Sequence, residues 1–168
     1  MYQAQKAIRI TQEPQKNKLL TTKNLKYMKF TRKASAEWKG TGKDGNGSLT
    51  TGSKVLENTP YSFHTRFEDG EKGTNPEELI GAAHAGCFAM QLSFLLNEAK
   101  FTATTLSVNA DVLFEDGAIT KITLNLEGDV PEIDAEQFNQ IAHKAKDVCP
   151  ISKLLDTTIE LKVTLKNA

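Results

Sequence analysis

Gly73-Thr74-Asn75-Pro76-Glu77-Glu78-Leu79-Ile80-Gly81-Ala82-Ala83-His84-Ala85-Gly86-Cys87-Phe88-Ala89-Met90 is the stretch in which the chain changes period, and that change sets the fold class. Thr74 and Glu77 stand at capping-box spacing, and Pro76 falls in the first turn, where a missing N–H costs nothing. Beyond them Ile80, Ala83, Cys87, Met90 and Phe94 recur at intervals of 3, 4, 3 and 4, the apolar stripe of a helix that runs out near Ala99. Cys87 therefore belongs to the stripe rather than to an exposed face. The segment from Gly81 to Cys87 is almost entirely small, so a second element, or the same helix of another subunit, can approach closely. A helix that merely filled space would carry larger side chains.

Upstream the period is 2. Over Met28 to Lys39 the even positions are Met28, Phe30, Arg32, Ala34, Ala36 and Trp38, five of six apolar, which predicts a half-buried strand. Four glycines between Gly40 and Gly47 make a turn, with a partner strand expected near Ser48–Ser53. Tyr61 to Phe67 alternates again and predicts a third strand, Tyr61, Phe63 and Phe67 on one face, His64 and Arg66 on the other. Downstream, Leu106, Val108, Ala110, Val112 and Phe114 alternate, then Ile122, Leu124 and Leu126, joined through the hairpin signal Asp116-Gly117. A second helix follows Pro131, capped by Asp134, with Phe138, Ile141, Ala145 and Val148 inward. Ile159, Leu161, Val163 and Leu165 form the last strand. The order β-β-β-α-β-β-α-β, with strands grouped rather than strictly alternating with helices, predicts an α+β fold of mainly antiparallel sheets and two main helices.

The chain has 168 residues, one domain's worth, with 21 basic and 21 acidic residues. That balance argues against a protein built to coat nucleic acid or an anionic membrane, and neither is expected as a partner. Residues 1–33 nevertheless hold nine Lys/Arg and one acid, leaving 12 basic and 20 acidic residues in the remainder. Residues 1–27 show no sustained period and are read as a basic N-terminal extension ahead of a domain over 28–168. A mitochondrial presequence is the competing reading, against which stand the lack of serine and the single arginine, Arg9. No run approaches the ~18 apolar residues of a membrane span, and no basic-then-apolar secretory signal opens the chain. A soluble, cytoplasmic protein is expected.

Two cysteines, Cys87 and Cys149, provide neither a disulfide framework nor a four-thiolate zinc site. Cys149 precedes Pro150 at the start of a short turn, Ile151 to Leu155, where free backbone N–H groups favour a thiolate. His84 and Cys87 lie three apart on one helix face, with His143 and Cys149 as candidate complements for a metal. Such pairs are common by chance, and no metal or other cofactor is expected. His64 reads as a surface or hydrogen-bonding residue. Gly-x-Ser-x-Gly, phosphate-loop and dinucleotide-binding motifs are missing from the sequence, so the corresponding enzyme classes lack residues to carry them.

Thr65-Arg66-Phe67-Glu68, followed by Glu71-Lys72-Gly73-Thr74-Asn75-Pro76-Glu77 and the helix through Cys87-Phe88, resembles the signature of the OsmC/Ohr family of thiol-dependent hydroperoxide reductases, the OsmC branch in particular. Ala145-Lys146-Asp147-Val148-Cys149-Pro150-Ile151-Ser152 resembles that family's second motif, and the likeness spans roughly residues 28–166. The resemblance implies an OsmC-like fold in an intertwined homodimer with two active sites at the subunit interface. It implies that Cys87 is the peroxidatic thiol, Cys149 the resolving thiol, Arg66 the guanidinium beside the thiolate and Glu77 its carboxylate partner. It also implies a hydroperoxide substrate, preferably organic, and a dithiol reductant such as a lipoyl protein.

These roles are chemically coherent. A thiolate must form on an apolar stripe that raises its pKa, and an arginine supplies the opposing charge without losing its own proton. One constraint stands out: ten residues on a straight helix put Glu77 and Cys87 about 15 Å apart at ~1.5 Å per residue. Either the helix breaks near Gly81, or Glu77 or Arg66 reaches the site from another subunit. Phe63, Phe67, Phe88 and Met90 are candidates for an apolar entrance, or for plain core. The competing function is a non-catalytic stress or ligand-binding protein on the same fold, with structural cysteines.

Overall fold

The computed structural model describes residues 29–68 and 70–166; the N-terminal extension expected over 1–27, and Met28, lie outside them. Strand β1 (Ala34–Lys39) pairs antiparallel with β2 (Asn46–Thr51), Trp38 facing Gly47, and β2 pairs antiparallel with β3 (Thr59–Ser62). The glycine-rich turn closes through Gly45 N–H to Thr41 O at 3.0 Å and Trp38 Nε1 to Thr41 O at 3.1 Å. Strand β1 is shorter than its alternation predicts, and all six of its residues are exposed. Within the chain, Trp38 packs on the Tyr61 ring at 5.2 Å between centroids.

The third strand ends at Ser62, and Phe63–Phe67 forms a short helix, α1, which corrects the strand expected to run to Phe67. Ser62 and Thr65 explain the switch. The Ser62 hydroxyl accepts from the Thr65 N–H at 3.1 Å while the Thr65 hydroxyl accepts from the Ser62 N–H at 2.8 Å, a reciprocal cap that opens a helix. Phe63 and Phe67 fit either period, since residues four apart share a face of a helix as well as of a strand; here their rings meet at 4.7 Å between centroids.

Helix α2 (Pro76–Glu98) runs unbroken for 23 residues. Its N-cap is Asn75, one residue later than the predicted Thr74, with Asn75 Oδ1 accepting from the Glu78 N–H at 2.8 Å. Thr74 instead sends its hydroxyl to the Glu78 carboxylate. The buried face is also turned by one residue from the predicted stripe: Gly81, His84, Phe88, Leu92, Leu95 and Leu96 point inward, while Ala83 and Met90 are exposed. Much of α2 is apolar around its whole circumference, so the periodicity fits two faces equally. The true one contains a glycine and a histidine that do not register as apolar.

Strands β4 (Thr105–Glu115) and β5 (Ala118–Asp129) form a long antiparallel hairpin over Asp116 (φ 50°) and Gly117 (φ 84°), the paired positive angles of the turn that Asp-Gly favours. Asp134 caps α3 (Ala135–Val148) by accepting from the Gln137 N–H at 2.8 Å, as predicted. A short helix, α4 (Pro150–Leu154), leads to β6 (Thr158–Leu165), which lies parallel to β5. That pair is parallel because the chain returns through a helical crossover. The two sheets, β1-β2-β3 and β4-β5-β6, are thus mainly antiparallel, and the α+β class holds. Phe88, Leu92 and Leu96 of α2, Ile122 and Leu124 of β5, and Phe138 and Ala142 of α3 form the core, to which Cys149 also belongs. Although α2 is long and apolar enough to cross a membrane, it packs here as a core helix, with Phe88, Leu92 and Leu96 fully buried.

Candidate active site

Two clusters contain the residues singled out by the sequence. The first is a dithiol. Cys87 projects from the middle of α2, and Cys149 is at once the C-cap of α3 and the N-cap of α4, where Pro150 redirects the chain. Their sulfurs lie 3.2 Å apart with both thiols free. A disulfide is about 2.05 Å long, so closure needs roughly 1 Å of movement. Cys149 is fully buried, whereas Cys87 is partly accessible, so a small oxidant meets Cys87 first. Burial pushes the Cys87 thiol up from its ordinary value, the Ile151 backbone N–H opposes that, and the neighbouring Cys149 adds to it. An amide at the start of α4 therefore acts on Cys87, whereas the sequence placed the influence of that turn on Cys149.

His84, one turn before Cys87, is completely buried. Its Nε2 lies 2.8 Å from Ser152 Oγ, and its Nδ1 is buried without a partner. Burial pushes the imidazole below its ordinary pKa, so it is neutral. Among the described residues no group of three or more His, Cys, Asp or Glu side chains could hold a metal ion. His64, in contrast, lies exposed on α1 with Nδ1 2.8 Å from Glu68 Oε1.

The second cluster is an ion pair. Arg66 of α1 grips Glu77 in the first turn of α2, its Nε at 3.1 and 3.2 Å from the two carboxylate oxygens and an Nη2 at 2.5 Å. The α1–α2 link is braced by Thr65 Oγ1 donating to Thr74 O at 3.0 Å and Asn75 Nδ2 to Thr65 O at 3.3 Å, which fixes the fork. The Arg66 guanidinium also lies over the rings of Phe67 and Phe114, 5.2 and 5.0 Å from their centres. Desolvation would raise the Glu77 carboxyl, but the Arg66 hydrogen bond, its own backbone N–H and the Arg66 charge together hold it below the usual carboxylate range.

This pair lines a cleft of about 660 Å³ with Phe67, Val112, Leu113 and Phe114. Of the four residues considered for an apolar entrance, Phe67 lines the cleft and Phe63 stacks on it. Phe88 is core, and Met90 is exposed on α2. The β4 residues Val112, Leu113 and Phe114 were missed as wall, because nothing local in a strand shows that its far end will face an arginine. Neither cysteine lines the cleft. Since α2 is unbroken, Glu77 and Cys87 are separated by about 15 Å of helix, and the break near Gly81 does not occur. Gly81 serves packing instead: a Cβ there would press on Val112 Cγ2 at 3.3 Å.

The chain thus sets a buried thiol beside a half-accessible one, and an arginine-carboxylate fork over aromatic rings, on one α+β scaffold. The family profile of OsmC-like proteins matches residues 68–164. The chain is 51% identical over 144 residues to peroxiredoxin OsmC of Escherichia coli K12, covering 83% of this chain and all of that protein. It is 30% identical over 125 residues to the organic hydroperoxide resistance protein OhrA of Bacillus subtilis, covering 68% of this chain and 86% of the relative. Among solved structures, OhrB of Bacillus subtilis superposes with a TM-score of 0.61 at 26% identity, covering 82% of this chain and 98% of its own. An OsmC-like protein of unknown function from Vibrio cholerae superposes with a TM-score of 0.64 at 14% identity, over 80% and 99%, and so shares the fold. The chain belongs to the OsmC family.

Proposed function

We propose that this chain is a thiol-dependent peroxidase that reduces organic hydroperoxides through Cys87 and Cys149. The observation that carries the reading is the 3.2 Å approach of the two sulfurs within one chain. The Cys87 thiolate attacks the terminal peroxide oxygen, the O–O bond breaks, and the departing alkoxide takes a proton to leave as the alcohol. Cys87 is then a sulfenic acid. The Cys149 sulfur attacks the Cys87 sulfur, the S–O bond breaks, and water leaves as the disulfide forms. An external dithiol, of which a lipoyl protein is one example, reduces the disulfide and is itself oxidised.

Arg66 and Glu77 complete the site from a second copy of the chain. An unbroken α2 keeps them from the Cys87 of their own subunit, while α2 exposes Ala82, Ala83, Gly86 and Met90, a face of small or flexible side chains on which a twin helix can lie. Arg66 of the partner subunit would stabilise the thiolate and donate to the peroxide oxygens as charge moves onto the leaving alkoxide. Phe67 and Phe114 beside it suit an alkyl substituent. The domain starts near residue 28 and works in the cytoplasm.

One equivalent of an organic hydroperoxide added to the reduced protein tests this. Loss of both thiols per chain, with the mass of an intrachain disulfide, supports the peroxidase. Retention of both thiols turns the reading toward a ligand-binding protein with structural cysteines.

A further inference from the structure

The peroxidase cycle leaves one polar pair unused, the buried His84 and the half-buried Ser152. We propose that this pair is a positioning clamp that holds α4, and with it Cys149 and the Ile151 N–H, against Cys87 before the disulfide forms; the inference rests on the thiol roles proposed above.

The clamp is visible as a second rung. His84 and Cys87 are three residues apart on α2, Cys149 and Ser152 three apart across the start of α4, and the contacts are His84 to Ser152 at 2.8 Å and Cys87 to Cys149 at 3.2 Å. The two rungs run antiparallel, one turn apart on each element. The other contacts that seat α4, the fully buried Cys149 at its start and Ile151 and Leu155 against the core, are apolar. The helix is five residues long, its N-cap Cys149 makes no side-chain capping bond, and Leu154 in its last turn is 74% exposed. Ile151 packs against the core, but an aliphatic contact sets a distance without fixing a direction.

The cost of His84 makes the same point. A leucine would fill the site without desolvating an imidazole or leaving Nδ1 unpaired, and buried polar groups left without partners are destabilising. What the imidazole supplies, and a leucine cannot, is a directional hydrogen bond to the one hydroxyl on α4. The neutral ring serves either way, since the Ser152 hydroxyl can accept from Nε2 or donate to it.

The bond matters in two of the three redox states. In the disulfide, a covalent link holds α4. In the dithiol and the sulfenic acid nothing covalent does, and in the sulfenic acid two reactions compete. Capture by Cys149 gives the disulfide and water; a second peroxide gives the sulfinic acid and another alcohol. The first needs the Cys149 sulfur on α4 within reach, whereas the second takes its oxygen from solution, so loosening α4 shifts the partition toward sulfinic acid.

The experiment compares wild type, Ser152→Ala, Ser152→Thr and His84→Leu, each reduced, treated with a fixed excess of an organic hydroperoxide and read by intact mass. Ser152→Ala is expected to raise the ratio of sulfinic product to disulfide about fivefold, the weight of one net hydrogen bond. Ser152→Thr restores the hydroxyl and returns the ratio to near the wild-type value. His84→Leu raises it as Ser152→Ala does while unfolding at an equal or higher temperature, which separates positioning from mere stability. A wild-type ratio in Ser152→Ala or in folded His84→Leu overturns the clamp, as does failure of Ser152→Thr to rescue. If the wild type forms no disulfide with one equivalent of peroxide, the thiol assignments themselves fail and the clamp falls with them.

Discussion

A thiol on the flank of a packed helix is a poor nucleophile until something opposes its burial. In one chain the Ile151 N–H opposes it, and burial still prevails for Cys87. A cation is the missing part, and the proposed site takes it from Arg66 of the partner subunit. Arg66→Ala is therefore expected to slow Cys87 oxidation at neutral pH by about tenfold, the scale of one charge-assisted hydrogen bond. The pH–rate profile should move to higher pH, because the thiol loses a group that favours its ionised form. Stopped-flow oxidation across pH checks both. Cys149→Ser should spare the first turnover and then stall as the sulfenic acid, drifting to sulfinic under excess peroxide, as read by intact mass. Sustained dithiol-driven turnover would remove Cys149 from the resolving role. Glu77 gives a pH signature of its own. Its carboxyl is held below the usual 4.5, so the stabilisation it contributes is fully present above 4.5 and is lost as pH falls through the depressed value. Glu77→Gln should flatten the acid limb of a plot of melting temperature against pH, and leave it unchanged only if the Arg66 fork adds nothing to the fold.

At the scale of elements, packing rather than propensity decides several outcomes. Gly128 in β5 lies directly beneath Phe138 of α3, and a Cβ there would fall within contact distance of the ring on which the helix seats. Gly128→Ala should destabilise the fold by about 1–3 kcal/mol, measured by denaturant unfolding, as an overpacked core does. The Asp-Gly hairpin, the Asp134 cap and the alternation of β4 and β5 were legible because each is a local signal obeyed locally. The end of β3 was not, since Phe63 and Phe67 satisfy both periods and the deciding Ser62–Thr65 cap uses threonine where a capping box usually has glutamate or glutamine. The face of α2 was misjudged for a related reason: Gly81 and His84 belong to the buried side, and neither looks apolar on a scale. His84 carried no signal for its role, because its partner Ser152 is 68 residues away. The dithiol was recognisable only through the family motifs. No spacing rule connects Cys87 to Cys149 across β4, β5 and α3.

At the scale of the whole molecule, the described chain holds two clusters of the proposed site that lie apart along one helix. Cys87 and Cys149 lie at the middle of α2, Arg66 and Glu77 at its start, and an unbroken helix keeps them apart. If each active site takes its thiols from one subunit and its guanidinium from the other, two crippled chains can repair one another. In a heterodimer of Arg66→Ala with Cys87→Ser, one site combines the intact thiols of the first chain with the intact arginine of the second. The other site inherits both defects. Refolding an equimolar mixture should then produce heterodimers with about half the wild-type turnover per dimer, while each variant alone stays far below that. Because random pairing makes about half of all dimers mixed, the bulk mixture should recover roughly a quarter of wild-type activity. Sites confined to one chain predict no recovery, since every intact thiol would then sit beside its own missing arginine. Differently tagged chains allow the mixed dimer to be purified and assayed directly, and a mixed dimer no more active than its parents would exclude the shared site.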